Sequence, residues 1–187
     1  MKIKTKLTKL GRDPKKQKGF INPGIYKGST MIFNQFKDYL EDIKNADDRT
    51  TLYGVNKNPF HKQLEESISK LYNSEDTIIT SSGLAAVIIP FLTFLKKDDE
   101  VLINDSVYGP TRTFCNNILK NYGIKIKYFH SIKNIGDFEK LITRKTKLIY
   151  LESPGTSTFD ILDIPFITKI AKRKKIPTAL DNTWASP

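Results

Sequence analysis

Apolar and polar positions follow two different rhythms along the chain. Leu64, Ile68 and Leu71 recur at the i, i+4 and i+7 spacing, which predicts the apolar face of a helix. Short, continuous apolar runs bounded by turn residues predict buried strands. Further predicted helices cover residues 33–43, 84–95 (with a kink at Pro90), 111–121, 137–142 and 166–174. Predicted strands cover residues 77–80, 100–104, 124–129, 147–151 and 176–180.

Strands that alternate with helices at this spacing predict an α/β fold with a mostly parallel, doubly wound sheet. Right-handed crossovers place the carboxyl ends of parallel strands along one edge, where open sheets bind ligands. We therefore expect the polar segments that follow the strands to lie close together. These segments are residues 81–83, 105–108, 152–153 and Asp181.

The first 50 residues differ from the rest because they show no sustained periodicity. They carry turn signals at residues 11–14 and 22–24 and one short amphipathic segment, the predicted helix 33–43. The N-terminus has no hydrophobic segment of the kind that a secretory signal contains. We therefore expect an N-terminal arm rather than a folded unit.

The composition is typical of a globular protein with an excess of basic residues. Hydrophobic residues make up 39% of the 187 residues, and no apolar run approaches the ~20 residues that a membrane helix needs. A net charge of +11 is one feature of nucleic-acid binders, but the lysines are spread along the chain without a zinc-finger or RNP-like motif. We interpret the charge as a solvated surface and expect neither a nucleic-acid nor a membrane partner.

Cysteine and histidine offer little chemistry in this sequence. Cys115 is the only cysteine, which excludes an internal disulfide and fits a reducing cytoplasm. It lies beside Phe114 in a predicted helix, so we expect a buried thiol. His61 and His130 lack partners at metal-ligand spacing, so we expect structural roles for both and no metal site.

Residues 81–84 lie between a predicted strand and a predicted helix. Backbone N–H groups at a helix N-terminus favour anions, and Gly83 would let a phosphate approach the backbone closely. An ordinary Ser N-cap explains the same residues. The segment is not a Walker loop, because no Gly-Lys-Ser/Thr follows, and it lacks two glycines of a dinucleotide fingerprint.

Two more side chains follow predicted strands, and each has two interpretations. Tyr108 is suited to stacking on a planar ligand, or it is a half-buried tyrosine in a turn. Asp181 is suited to pairing with a protonated ring nitrogen, because a nearby cation stabilises a carboxylate. The alternative for Asp181 is an N-cap of a helix that follows it.

Six segments, in order, resemble the pyridoxal-phosphate enzymes of cysteine and methionine metabolism, and among them the cystathionine β-lyase branch. Residues 5–30 resemble the family's N-terminal arm, and Tyr53-Gly54 with Asn58-Pro59 resembles its Tyr-x-Arg loop. ESPGT favours the β-lyase branch, because many γ-acting relatives carry E-x-P-x-N-P there. The other four segments are SSGLAA (81–86), DSVYGPT (105–111), ESPGT (152–156) and DNTWA (181–185).

The resemblance implies the PLP-dependent transferase fold type I, the aspartate-aminotransferase-like fold. It implies that residues 1–52 form the arm and residues 53–187 the N-terminal part of the large PLP-binding domain. It also implies a pyridoxal 5'-phosphate (PLP) cofactor and a substrate that is cystathionine or a related sulfur amino acid. The implied enzyme is a cytoplasmic dimer of dimers that forms homocysteine, pyruvate and ammonia in transsulfuration and methionine biosynthesis.

The resemblance also assigns roles to residues. Ser82, Gly83 and Leu84 would hold the cofactor phosphate, and Tyr53 would reach the phosphate of a neighbouring subunit. Tyr108 would stack on the pyridine ring near the leaving group, and Asp181 would keep the ring nitrogen protonated. Tyr108 and Tyr53 are the implied catalytic side chains.

Two departures from the family pattern change the expectation. Val55 stands where the family has a phosphate-gripping arginine, and Asn56 or Lys57 is the alternative ligand. The family's Schiff-base lysine follows a Ser-x-Thr-Lys segment that this sequence lacks; Thr168-Lys169 lies inside a predicted helix, as a surface pair.

We therefore expect the N-terminal fragment of a carbon–sulfur lyase, inactive on its own. One alternative is another enzyme of the same superfamily: a cystathionine γ-lyase, a γ-synthase or a methionine γ-lyase. A second is a non-catalytic chain that only associates with partners.

Overall fold

The computed structural model describes residues 3–44, 52–55, 58–130 and 135–186, which divide into two compact units between Ile79 and Thr80. The first unit contains α1 (Ile3–Lys9), α2 (Phe36–Lys44) and α3 (Pro59–Tyr72). The helices described in the second unit are α4 (Gly83–Phe94), α5 (Gly109–Phe114), α6 (Ile135–Leu141) and α7 (Ile164–Arg173). Its strands are β1 (Glu100–Asn104), β2 (Lys125–Phe129), β3 (Thr146–Glu152) and β4 (Thr178–Asp181).

The four strands form one parallel sheet in the order β2-β1-β3-β4. Their carboxyl ends therefore lie along a single edge, as the strand–helix alternation predicts. The register pairs Asn104 with Phe129 and Glu152 with Asp181, so each of these residues ends its strand at this edge. The α/β class with a parallel sheet is confirmed.

Alternate residues of the strands face two separate apolar clusters, one on each side of the sheet. The first cluster combines strand residues with Phe91 of α4 and with Cys115 and Leu119 of a π-helical turn (Cys115–Leu119) that continues α5. The second combines them with Phe138 of α6 and Ile167 of α7. Because helices cover both faces, the sheet is doubly wound, as predicted.

Local sequence signals fix the ends of the helix that follows the Tyr53 loop. The side chain of Asn58 accepts hydrogen bonds from the N–H groups of Phe60 and His61, and Pro59 occupies the first helical position. Asn73 ends α3 in the left-handed conformation, with φ of 54°.

Residues 77–80 correct the sequence prediction, because they form no strand in the described structure. Their hydrogen bonds go instead to side chains: the Ile79 N–H donates to Glu65 Oε1 at 3.1 Å, and Thr77 Oγ1 pairs with Ser69 Oγ at 2.7 Å. A β-branched run favours extended backbone, but a strand also needs a neighbour, which local pattern does not reveal. Helix α1 was missed, since residues 3–9 are too few to show periodicity.

Asn56 and Lys57, the suggested substitutes for the missing arginine, lie outside the described residues. In the part of the chain that the structure describes, no helix is long and apolar enough to cross a membrane.

The buried Glu100 carboxylate links the first residue of β1 to the first residue of β3. Glu100 is 1% exposed; it accepts hydrogen bonds from the Thr143 and Thr146 hydroxyls at 3.0 and 2.8 Å. Lys125 Nζ lies 3.1 Å from its other oxygen. Burial alone would raise the pKa of Glu100, but these partners outweigh it and hold the pKa below the ordinary value of 4.5.

We expect Glu100→Gln to lower the free energy of unfolding at neutral pH by about 1–3 kcal/mol, because the amide loses charge-assisted hydrogen bonds. A carboxylate whose pKa is lowered by folding stabilises the protein above its unfolded pKa, and this contribution disappears as the pH falls through the folded pKa. The difference between the variant and the parent chain should therefore shrink below pH 4.5. Urea unfolding at both pH values measures it.

Asp137→Asn is the matched control, since the contact recorded for the Asp137 side chain among the described residues is an exposed ion pair with Lys140. Its effect should stay within about 0.5 kcal/mol. An equal effect of the two substitutions, or a Glu100→Gln effect that does not change with pH, would contradict the proposed role of the buried carboxylate.

Candidate functional site

A cleft of about 730 Å³ lies in the second unit at the carboxyl edge of the sheet. The N-terminus of α4 and the segments that follow β1, β3 and β4 contribute to its lining. Five of the six residues that sequence reasoning assigns to a site lie here: Ser82, Gly83, Leu84, Tyr108 and Asp181. The sixth, Tyr53, lies in the first unit and is about half exposed.

The N-terminus of α4 forms one end of this cleft. Ser82 is the N-cap, and its Oγ accepts a hydrogen bond from the Ala85 N–H at 3.1 Å. The Ser N-cap interpretation is therefore correct, and it leaves the N–H groups of Gly83 and Leu84 without an intrahelical acceptor. A Cβ placed on Gly83 would meet no protein atom within 4 Å. The backbone here is thus open to an anion, which both the exposed N–H groups and the helix dipole favour.

Tyr108 occupies the position before α5, and 46% of its surface is exposed. Its backbone N–H donates a hydrogen bond to Glu152 Oε2 at 2.7 Å, while its ring lines the cleft. An exposed aromatic ring on a fixed backbone is suited to covering a planar ligand.

Asp181 ends β4 and uses one carboxylate oxygen within the protein. Its Oδ1 accepts hydrogen bonds from the N–H and the hydroxyl of Thr183, at 3.1 and 2.6 Å. Among the described residues, no partner is recorded for Oδ2. One oxygen is therefore used to orient the carboxylate, and the other remains for a cationic ligand group.

A second carboxylate, that of Glu152, stands next to Asp181 in the register of β3 and β4. Both of its oxygens are engaged, Oε2 by the Tyr108 N–H and Oε1 by the Thr156 hydroxyl at 2.5 Å. Burial raises the pKa of the nearby Tyr150 phenol, and the two carboxylates raise it further, so the phenol stays protonated. Of the two carboxylates, only Asp181 has an oxygen without a recorded partner among the described residues.

Tyr150, Thr156 and Trp184 are among the lining residues to which sequence reasoning assigned no role. Tyr150 was predictable, because it precedes Glu152 by two positions and therefore shares its face of the strand. Thr156 and Trp184 lie in loops, and only their motifs (ESPGT and DNTWA) marked them. Trp184 packs edge-on against Phe159, with ring centroids 5.2 Å apart.

Cys115 and the histidines add no reactive group to the cleft lining. Burial raises the pKa of the Cys115 thiol to about 12, so it is the inert, buried thiol that the sequence predicts. His130 Nδ1 lies 3.0 Å from Asp105, which also pairs with Arg112 at 2.6 Å. In the described part of the chain, no cluster of three or more His, Cys, Asp or Glu side chains is arranged to hold a metal ion.

The residues present fit a phosphorylated pyridine cofactor. The open backbone at Gly83 suits the phosphate, the free oxygen of Asp181 suits a protonated ring nitrogen, and the Tyr108 ring suits the pyridine face. No lysine is among the described residues that line the cleft.

Comparison with known proteins shows the family of the chain. The chain matches the family model described as Cys/Met metabolism PLP-dependent enzyme over residues 4–187. Proteins of Rhizobium johnstonii and Saccharomyces cerevisiae, both named "Putative cystathionine beta-lyase", are 42% and 40% identical over 99% of this chain. These alignments cover 45% and 52% of the two relatives, so the chain spans about half of their length.

A solved structure shares the fold over the whole chain. The cystathionine γ-lyase of Lactobacillus plantarum, complexed with L-serine, superimposes with a TM-score of 0.84 at 27% identity. The match covers 100% of this chain and 46% of that protein. The family match and the two relatives establish that the chain belongs to the PLP-dependent enzymes of Cys/Met metabolism.

Proposed function

We propose that these 187 residues form the cofactor-binding part of a carbon–sulfur lyase that cleaves cystathionine to homocysteine, pyruvate and ammonia. The observation that carries the proposal is the pairing, in one cleft, of an open helix N-terminus at Gly83 with the free oxygen of Asp181. These two groups match the two ends of PLP. The names of the two relatives described above support cystathionine as the substrate.

Each cleft residue has a distinct task in this proposal. The N–H groups of Gly83 and Leu84, with the Ser82 hydroxyl, bind the phosphate. Asp181 holds a proton on the ring nitrogen, and Thr183 holds Asp181 in orientation. Tyr108 covers the ring face and lies near the leaving thiolate. Bound PLP supplies an electron sink for the carbanion that forms when the α-proton leaves.

The lysine that this chemistry needs is not among the described residues lining the cleft. We therefore propose that the 187 residues bind cofactor without turning over substrate. Thr168-Lys169 is the pair that resembles the family's lysine segment. It lies in α7, one of the helices that pack on the second apolar cluster.

Assembly with further subunits is part of the proposal. Helix α4 is almost entirely apolar, and several of its side chains are exposed in the described structure: Leu84, Ile89, Leu92 and Phe94. Exposed apolar surface of this kind marks contact with other protein elements. We propose a homo-oligomer, a dimer of dimers in the full-length protein, in which Tyr53 reaches the phosphate of a neighbouring subunit.

The second candidate is a γ-acting enzyme of the same family, because a cystathionine γ-lyase shares this fold. Assay of the whole gene product separates the two, since β-cleavage of cystathionine releases pyruvate and γ-cleavage releases 2-oxobutyrate. A third candidate, a chain that only associates with partners, would bind no cofactor.

We expect pyridoxamine 5'-phosphate to bind the cleft and quench the fluorescence of Trp184, the only tryptophan in the chain and a residue of the cleft lining. The amine form of the cofactor is the better probe, because it cannot form Schiff bases with surface lysines. Asp181→Asn should weaken binding about tenfold, since the ring nitrogen loses a charged partner. Titration of the quench gives both dissociation constants.

Asp98→Asn is the matched control for Asp181→Asn. Asp98 is exposed and has a φ of 72°, a conformation that asparagine also tolerates, so probe affinity should not change. No quench in the parent chain, or equal affinities of the parent and Asp181→Asn, would contradict the assignment.

We expect Gly83→Ala to weaken probe binding without lowering stability. The added methyl group meets no protein atom within 4 Å, so it occupies only the space where the phosphate is expected. Gly155→Ala, in contrast, should lower the free energy of unfolding by about 1–3 kcal/mol, because its methyl group would overlap the Ser106 side chain. Thermal unfolding and probe titration of both variants test this. Destabilisation by Gly83→Ala would contradict the open space inferred at the N-terminus of α4.

We expect the purified 187 residues to release no pyruvate from cystathionine, even when saturated with PLP. Lysine is the covalent link and proton carrier in this chemistry, and the described cleft lining contains none. A lactate-dehydrogenase-coupled assay measures pyruvate directly. Sustained release above the rate of free PLP would show that a lysine outside the described lining reaches the cofactor.

A further inference from the structure

The loops after β1 and β3 are joined by one carboxylate that has no assigned role. Glu152 is 4% exposed and accepts hydrogen bonds from both loops. Oε2 accepts the Tyr108 N–H of the loop after β1 at 2.7 Å, and Oε1 accepts the Thr156 hydroxyl of the loop after β3 at 2.5 Å. The carboxylate therefore spans the distance between a cleft-lining aromatic residue and a cleft-lining hydroxyl.

Asn104 fixes the main chain on which this carboxylate is mounted. It is 1% exposed; its Oδ1 accepts the Glu152 N–H at 2.8 Å. Its Nδ2 donates to the Glu152 carbonyl at 3.1 Å and to Ser106 Oγ at 3.0 Å. The two bonds between the Asn104 side chain and the Glu152 backbone hold the end of β3 against the end of β1, so Glu152 has little freedom to reorient.

The two loops also touch directly beside this carboxylate. The Thr156 N–H donates to the Ser106 carbonyl at 2.7 Å, and a Cβ on Gly155 would lie 2.6 Å from Ser106 Cβ. Only glycine permits so close an approach. The loops are therefore held at a fixed separation that matches the reach of a glutamate side chain.

Tyr108 is held in this arrangement through its backbone. No side-chain hydrogen bond caps α5 at Tyr108, which is 46% exposed and lines the cleft. The hydrogen bond to Glu152 is the one recorded for its N–H among the described residues. The direction of the ring thus follows from a backbone that Glu152 anchors.

We infer that Glu152 is a positioning residue, whose carboxylate fixes the Tyr108 backbone so that the ring covers the pyridine of the cofactor. The inference rests on the proposed function, because it assumes that the cofactor binds in this cleft. The role of partner of the ring nitrogen fits Asp181 rather than Glu152, since Glu152 is 4% exposed and each of its oxygens already has a hydrogen-bond donor.

Two substitutions separate reach from charge at this position. Glu152→Asp keeps the charge but is one methylene too short to meet both loops. Glu152→Gln keeps the reach; its amide accepts the Tyr108 N–H and donates to Thr156 Oγ1, whose hydroxyl can turn. We expect Glu152→Asp to weaken pyridoxamine 5'-phosphate binding about fivefold and Glu152→Gln to stay within about twofold of the parent chain. The opposite order would show that charge matters, and would overturn the inference.

The same titration in a Tyr108→Ala background shows whether Glu152 acts through Tyr108. If it does, Glu152→Asp should change the affinity less than about twofold there, because the ring that it positions is gone. An undiminished fivefold effect would mean that Glu152 acts on the cofactor by another route. Failure of the parent chain to bind the probe would instead refute the proposed function. Failure of the inference and failure of the proposed function therefore give different results.

Amide hydrogen exchange without cofactor provides the second readout. Glu152→Asp should accelerate exchange at Tyr108, while Leu102 and Ile149, buried in the central strands, keep their protection. Glu152→Gln should preserve protection at Tyr108. Acceleration across β1 and β3 together would show that Glu152 holds the sheet rather than the ring, and would also overturn the inference.

Discussion

The parallel pairing of β1, β3 and β4 is the constraint on which the cleft depends. Parallel strands end at one edge, and the register places Glu152 beside Asp181 there. Each helix that returns the chain to the sheet begins at this same edge, so α4 and α5 bring Gly83 and Tyr108 to it as well. Groups far apart in sequence thus meet because strand pairing aligns the strand ends and apolar packing holds α4 against the sheet.

The two adjacent carboxylates show how hydrogen bonding divides tasks between like groups. Glu152 is surrounded by donors from the protein, whereas Asp181 keeps an oxygen without a recorded partner. Unpaired negative charge in a partly buried cleft favours a cation, which in the proposed function is the protonated ring of the cofactor. The raised pKa of Tyr150 reflects the same negative potential, together with burial.

Much of this arrangement could be predicted from the sequence, because it rests on local pattern and on the handedness of crossovers. The predicted strand at residues 100–104 matches β1 at both ends, and the convergence of Gly83, Tyr108 and Asp181 at one edge follows from topology. The family's motifs then gave each residue a proposed role. The Ser N-cap and the phosphate site proved compatible, since the Ser82 side chain leaves the Gly83 N–H exposed.

The remainder depends on contacts between distant residues, which no local pattern contains. The Ile79 N–H bonds to the Glu65 side chain of α3. Residues 77–80, whose apolar run is typical of a strand, therefore form no strand in the described structure. The Glu152 carboxylate joins Tyr108 to Thr156, 48 residues further along the chain, and only the structure reveals that both of its oxygens are used. Which of two carboxylates is free to bind a cation is likewise a property of the fold.

A crystal structure of the chain grown with pyridoxamine 5'-phosphate tests the central claim most directly. We expect the phosphate within hydrogen-bond distance of the Gly83 and Leu84 N–H groups and the ring nitrogen within hydrogen-bond distance of Asp181 Oδ2. The Tyr108 ring should lie over the pyridine. A ligand bound elsewhere on the chain, or bound in the cleft with its ring nitrogen away from Asp181, would contradict the assignment of this cleft.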